Sequence, residues 1–205
     1  MRNSDIVYRQ IKELIVTATI KPGEVIVESE LMEKFNIGRT PIREALSRLS
    51  WEGLVRIIPN RLIMVSELPI EDLESIFQVR YTMSILEGRL ACEKRTQQEI
   101  EYLIELVDSI KQEKITEKRV ILDRDFHRAI SKMTRNKFLE YQMNNTLDLS
   151  FRLLFLNKSS IESIDDNAIK DYDDILQGII DKDSERLITL LQQHVIVFRN
   201  KFIKH

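Results

Sequence analysis

Asn36-Ile37-Gly38-Arg39-Thr40-Pro41-Ile42-Arg43-Glu44-Ala45-Leu46 reads as a tight turn feeding a helix, and the reading of the whole chain depends on it. Thr40 and Pro41 suit a helix start, because a threonine hydroxyl can satisfy a free amide and proline's missing N–H costs nothing in the first turn. Ile42, Ala45, Leu46 and Leu49 recur at helical spacing and define a buried face, leaving Arg39, Arg43 and Ser47 outside. Arg39 and Arg43 are four residues apart, so a helix stacks them one above the other. Each guanidinium then offers a fork of donors that fits a guanine edge or a phosphate. An exposed arginine pair alone is normally a solvated helix face. Here the turn before it and the segments after it outline a DNA recognition helix.

Working back from this stretch, Ser29 is expected to cap a helix over 30–35, preceded by the extended piece Val25-Ile26-Val27 and the break Lys21-Pro22-Gly23. Ser4 is expected to cap a first helix whose apolar positions are Ile6, Val7, Ile11, Leu14 and Ile15. Working forward, Gly53 between Trp51 and Leu54 is the expected helix stop. Val55–Ile58 and Leu62–Val65 then read as two short strands around Pro59-Asn60-Arg61, a hairpin of the kind that lies beside DNA as a wing. Helix, helix-turn-helix and hairpin make residues 1–66 a winged helix-turn-helix. Residues 67–69 form a short linker.

From residue 70 to 205 the pattern is helical throughout, which makes the chain mainly α. Helices are expected over roughly 71–94, from a Thr96/Glu99 capping box to about Lys111, over 120–133, after Asn136, over 161–180 and over 184–203. The helix after Asn136 is apolar on much of its surface, which implies burial on more than one side. The aromatic positions Phe126, Phe151, Phe155 and Phe198 read as core. This is an all-α antiparallel bundle.

Composition narrows the function classes. The formal net charge is −2, so bulk charge does not drive nucleic-acid binding. Residues 1–66 hold ten Lys/Arg against eight Asp/Glu, and the remainder twenty-one against twenty-five, a mild bias that agrees with a DNA-facing front half. A single cysteine, Cys92, excludes an intrachain disulfide. With no signal peptide and no apolar run of spanning length, a soluble cytoplasmic protein is expected.

The run Ile37 to Leu49, with Pro22-Gly23, Ser29-Glu30-Leu31, Glu52-Gly53-Leu54-Val55 and Pro59-Asn60-Arg61, resembles the N-terminal domain of GntR-type bacterial transcription regulators. The resemblance implies base contacts by Arg39 and Arg43, a phosphate contact by Thr40, and minor-groove contact by Asn60 and Arg61 at the wing tip. Two positions depart from the pattern. Ser29 stands where many relatives carry another DNA-contacting arginine, and Leu62 stands where the wing usually has glycine, a residue that tolerates positive φ far better. Arg80 with Leu86-Glu87, Asp123-Arg124-Asp125-Phe126-His127, Asn136 and His194 look like the FCD effector domain of the FadR-type branch.

Asp123 and His127 are four apart, so a helix places carboxylate and imidazole on one face, close enough to share a metal or to hydrogen-bond. By resemblance, His194 joins them, and a fourth histidine is expected twenty-two residues earlier, where this chain has Tyr172. A phenol with a pKa of about 10 is a poorer ligand than imidazole at neutral pH. Asp123, His127 and His194 can hold zinc, nickel or manganese with open positions, or the site can stand empty, with Tyr172 and His194 bonding an effector directly. Arg80 and Arg152 are candidate partners for an anionic effector, with a structural ion pair such as Arg80–Glu87 as the alternative. The expectation is a homodimeric, ligand-responsive regulator that binds double-stranded, near-palindromic operator DNA and senses a small molecule, which the family resemblance implies is a carboxylate. The alternatives are a metal-dependent hydrolytic enzyme built on Asp123, His127 and His194, or a DNA-binding protein with a vestigial pocket.

Overall fold

The apolar spacing near the N-terminus folds as α1 (Asn3–Val16) in a computed structural model that describes residues 2–59, 62–157 and 166–203. The chain divides into two units, Met1–Pro69 and Ile70–His205. In the first, α1 is followed by β1 (Val25–Ile26), α2 (Glu28–Phe35), α3 (Arg39–Trp51), β2 (Val55–Ile58) and β3 (Leu62–Val65). β3 pairs antiparallel with both other strands, so the expected hairpin is part of a three-stranded sheet in the order β1-β3-β2.

Two expected caps are corrected. Ser4 lies inside the first turn of α1, is buried, and caps nothing, because the helix already begins at Asn3 after Arg2. Likewise α2 starts at Glu28 directly after Val27, where β1 releases the chain, and Ser29 falls inside it without a capping role. The turn before α3 is made by Asn36 in the left-handed conformation (φ 51°), which asparagine tolerates better than most residues. No side chain caps α3, whose N-cap is Gly38, so Thr40 is a first-turn residue rather than a cap. Gly53, at φ 77°, ends the run after α3, a conformation that a side chain would strain. Leu62 is extended and pairs with Ile58, so β3 asks no positive φ of it.

The inner face of α3 is the expected one. Ile42, Ala45, Leu46 and Leu49 are buried where α3 packs on α1, whose Val7, Ile11 and Ile15 are buried too, and each of the larger aliphatic side chains is worth roughly 1.5–3 kcal/mol of transfer free energy at full burial. Polar contacts fix α3 further: Tyr8 donates to buried Glu52 at 2.5 Å, Lys12 reaches the same carboxylate at 2.9 Å, and Arg48 lies over the Tyr8 ring at 3.9 Å. The helix is thus held on α1 along its length, with its other face turned to solvent.

The second unit comprises α4 (Ile70–Lys94), α5 (Gln97–Gln112), α6 (Thr116–Met133), α7 (Lys137–Leu156), α8 (Asp166–Asp181) and α9 (Ser184–Asn200). Thr96 and Glu99 form the expected capping box, and Asn136 caps α7 by accepting from the amides of Phe138 and Leu139. α6 begins at Thr116, a turn before the expected start. α7 buries Leu139, Leu147, Asp148, Phe151 and Arg152, which lie on more than one of its faces, while Phe155 is only half-buried. α4 packs along α9 with a close approach at Gly88, where a Cβ would stand 2.9 Å from a side-chain carbon of Ile188. α6 lies against α5 and α7, and α8 against α5 and α9. The result is a helical bundle whose core includes Leu103, Ile110, Phe126, Ile130, Ile175, Ile179 and Leu187.

Candidate functional site

Each unit carries its own constellation. On the first, Arg39, Thr40, Arg43 and Ser47 are exposed on the outer face of α3, opposite its buried stripe. The two guanidiniums are not independent. Arg43 donates from Nε to Oε1 of Glu28 at 2.8 Å, and Arg39 Nε lies 3.7 Å from the other oxygen of the same carboxylate. Hydrogen bonding to Glu28, reinforced by its charge, raises the Arg43 pKa above the usual guanidinium value. Local sequence carries little sign of this contact, because Glu28 is on another helix, fifteen residues away. Asn60 and Arg61 lie outside the described residues.

On the second unit, α6 brings Asp123 and His127 to one buried face, and α9 brings His194 to meet them. His127 Nε2 lies 3.2 Å from His194 Nε2 and 3.2 Å from Asp123 Oδ1, and all three ligand atoms fall within 4.8 Å of one another. Burial would raise the Asp123 carboxyl, but contact with His127, its charge and that of His194, and a hydrogen bond from Tyr172 hold it below its usual value. Burial lowers His127 despite the opposing pull of Asp123, which keeps the imidazole neutral near pH 7. Tyr172 is raised well above its ordinary value by burial, with the Asp123 charge and hydrogen bond adding to it. Its protonated hydroxyl therefore serves Asp123 and is not a phenolate ligand.

The donor set suits a divalent cation in chemistry and in two of its three separations, and the third closes on one ion with a small side-chain adjustment. Metal–ligand bonds of about 2.0–2.2 Å place adjacent ligand atoms roughly 3.0–3.5 Å apart. His127 Nε2 has that separation from both neighbours, and one ring proton cannot serve both. Asp123 Oδ1 and His194 Nδ1 are buried without an aligned hydrogen-bond partner among the described residues. Asp171 Oδ2 stands 3.8 Å from His194 Nδ1, on the side where ring-orienting partners of metal-bound histidines are found.

Beside His127 lies a narrow cavity lined by Arg80, Ser84, Glu87 and Ser131, with room for about one water molecule. Arg80 donates to Ser150 at 3.0 Å and is pushed down to about 10 by burial, against the charges of Glu87 and Asp123. Glu87 accepts from Ser131 at 2.5 Å, and burial raises it to about 7. Arg80 and Glu87 thus share a pocket without the direct ion pair considered as the alternative. Arg152 is fully buried on α7, with burial lowering it to about 10, and it does not line this cavity. A second cavity is lined by Asp123, Asp171, Tyr172, His194 and Lys201. Ser131, one turn after His127, was the participant least marked in sequence, whereas Glu87 stood there as a possible partner of Arg80. Ser131 was within reach of the i, i+4 rule that relates Asp123 to His127.

Residues 3–65 match the gntR family of bacterial regulatory proteins and residues 75–196 match the FCD domain. The chain is 24% identical over 202 residues to the HTH-type transcriptional regulator YdhC of Bacillus subtilis (strain 168), covering 97% of this chain and 88% of that protein. It is 31% identical over 128 residues to the Nta operon transcriptional regulator of Aminobacter aminovorans, covering 62% and 61% respectively. The solved structure of E. coli McbR/YncC is similar in fold, with a TM-score of 0.81 at 23% identity, over 99% of this chain and 100% of that one. A regulator is what these likenesses share, and the hydrolase alternative finds no support among them. Among the described residues no helix is long and apolar enough to cross a membrane. The chain belongs to the GntR-type transcription regulators, in the branch that joins the winged helix-turn-helix to an FCD domain.

Proposed function

We propose that this regulator is a cytoplasmic homodimer that binds a near-palindromic operator with two copies of α3 in successive major grooves, and that a small carboxylate held in the bundle sets its DNA affinity. The observation that carries the DNA reading is the placement of Arg39 and Arg43 on the solvent face of a helix whose opposite face is anchored to α1. Arg39 and Arg43 read base edges, Thr40 contacts a phosphate, and Asn60 and Arg61 reach the adjacent minor groove.

In the bundle, Asp123, His127 and His194 hold a divalent cation, zinc, nickel or manganese. When bound, the cation supplies an electrophilic anchor for an effector carboxylate. Tyr172 positions Asp123 through its hydroxyl, and Arg80 adds positive charge to the cavity on the His127 side. Arg152, buried on the same helix as the cavity-lining Met143 and Leu147, is the second candidate cation for an anionic effector. The cavity on the His127 side must open to admit anything larger than water, whereas a roomier one of about 250 Å³ borders Asp171, Gln193 and His194, so an effector enters from the His194 side or by stabilising an arrangement with more room between α4, α6 and α9. The narrowness of the cavity on the His127 side supports a second reading, operator binding without effector dependence.

The test begins by selecting a duplex from a random library with the full-length protein. Arg43→Ala is expected to bind the selected duplex about ten- to a hundred-fold more weakly, the cost of losing one bidentate base contact. Unchanged affinity in a gel-shift titration rejects Arg43 as a base reader.

A further inference from the structure

Glu28 occupies the first turn of α2, is partly buried, and faces both guanidiniums of α3. Its two oxygens divide between them: Oε1 takes the Nε–H of Arg43 at 2.8 Å and Oε2 lies 3.7 Å from the Nε of Arg39. In both contacts the atom engaged is Nε. The terminal nitrogens of Arg43 have no protein partner among the described residues, and its side chain is 62% exposed. An arginine held by Nε keeps its Nη1/Nη2 edge available, and that pair of parallel donors matches the O6 and N7 acceptors of guanine.

We propose that Glu28 is a specificity-determining positioning residue, a single carboxylate that aims Arg39 and Arg43 at base edges and weakens their attraction to phosphate. The inference rests on the proposed base-reading role of Arg39 and Arg43. Two physical effects support it. First, a free arginine loses rotamer freedom when it docks, whereas one already fixed by Glu28 has lost part of it before DNA arrives. Second, phosphate is recognised by net charge and a guanine edge by directed hydrogen bonds. A neighbouring carboxylate cancels much of the former attraction and leaves the donors of the latter in place. Glu28 itself touches no DNA in this scheme. It raises the ratio of specific to non-specific binding by lowering the second more than the first. The absence of an arginine at Ser29 gives the device more weight, because these two guanidiniums carry the direct readout on this face.

The test uses the full-length protein with two duplexes, one selected from a random library by the wild type and one shuffled to the same composition. Dissociation constants are measured by fluorescence anisotropy at two salt concentrations for wild type, Glu28→Ala, Glu28→Gln, Arg43→Ala and the Glu28→Ala/Arg43→Ala double variant. Glu28→Ala is expected to bind the selected duplex about tenfold more weakly and the shuffled duplex at least as tightly as wild type, with a steeper salt dependence on the latter. Glu28→Gln keeps an acceptor for Nε, so it should retain most of the selected-duplex affinity and still gain on the shuffled one. In the Arg43→Ala background the effect of Glu28→Ala on the selected duplex should shrink to a few-fold at most. An unchanged affinity ratio, a parallel loss on both duplexes, or tighter binding of the selected duplex by Glu28→Ala overturns the proposal. If Arg43→Ala binds the selected duplex like wild type, the base-reading assignment falls as well, whereas a loss in Arg43→Ala with no change of ratio in Glu28→Ala overturns the role of Glu28 alone.

Discussion

Glu87 sits fully inside the bundle, with Ser131 donating to its carboxyl and the Arg80 charge nearby, and its pKa of about 7 lies above the ordinary 4.5 because burial outweighs both. A carboxyl raised on folding favours the native state while it is protonated. Its contribution is complete below pH 4.5 and is lost as pH rises through 7. The full shift corresponds to an upper bound on the order of 3 kcal/mol, reduced in practice because the Arg80 charge stays buried and benefits from an ionised partner. Glu87→Gln keeps the acceptor for Ser131 and removes the titration. Urea denaturation should therefore show wild type losing more stability between pH 5 and pH 8 than Glu87→Gln loses, and equal losses would mean that Glu87 does not carry the shift. At the same scale, Asp123 and His127 were legible as a pair because one helix turn relates them. Glu28 was not, since its tie to Arg43 depends on how α2 packs on α3.

Among the helices, the caps separate what local chemistry decides from what it does not. Asn136 and the Thr96/Glu99 box mark starts that hold in the structure, because each sits where the chain arrives from a turn with its side chain free to meet the exposed amides. Ser4 and Ser29 have the same chemistry and fail, because the chain enters the helix before reaching them. Asn136→Ala, which removes the acceptor for Phe138 and Leu139, should cost about 1 kcal/mol in urea denaturation. Ser29→Ala, an exposed residue inside α2, should stay within about 0.5 kcal/mol of wild type. Similar losses in both would place the Asn136 effect outside capping.

Across the whole chain, the metal proposal is a linkage statement. A cation bound by Asp123, His127 and His194 joins α6 to α9 in the native state and finds no such site in the unfolded chain. At a free concentration near 100 times its dissociation constant it would add about 2.7 kcal/mol of stability. Zinc should therefore raise the melting temperature of wild type measurably and that of His194→Ala much less; no response in wild type, or equal responses, rejects the site. By itself the sequence determined the order of elements, the inner and outer faces of α3, the strand bounds of the hairpin, the helical second half and the identity of Asp123, His127, Tyr172 and His194 as residues to watch. The elements, the faces of α3 and the Asp123–His127 pair depend on periodicities of two and 3.6 residues, on turn chemistry and on short spacings, all of them local, whereas Tyr172 and His194 were marked only by the resemblance to the FCD family. Tertiary structure alone decided that Glu28 grips the recognition arginines, that β1 completes the sheet, that Tyr172 bonds Asp123 and that Glu87 and Ser131 share the Arg80 cavity. Each of those contacts joins different elements, and its distance follows from packing rather than from any pattern along the chain.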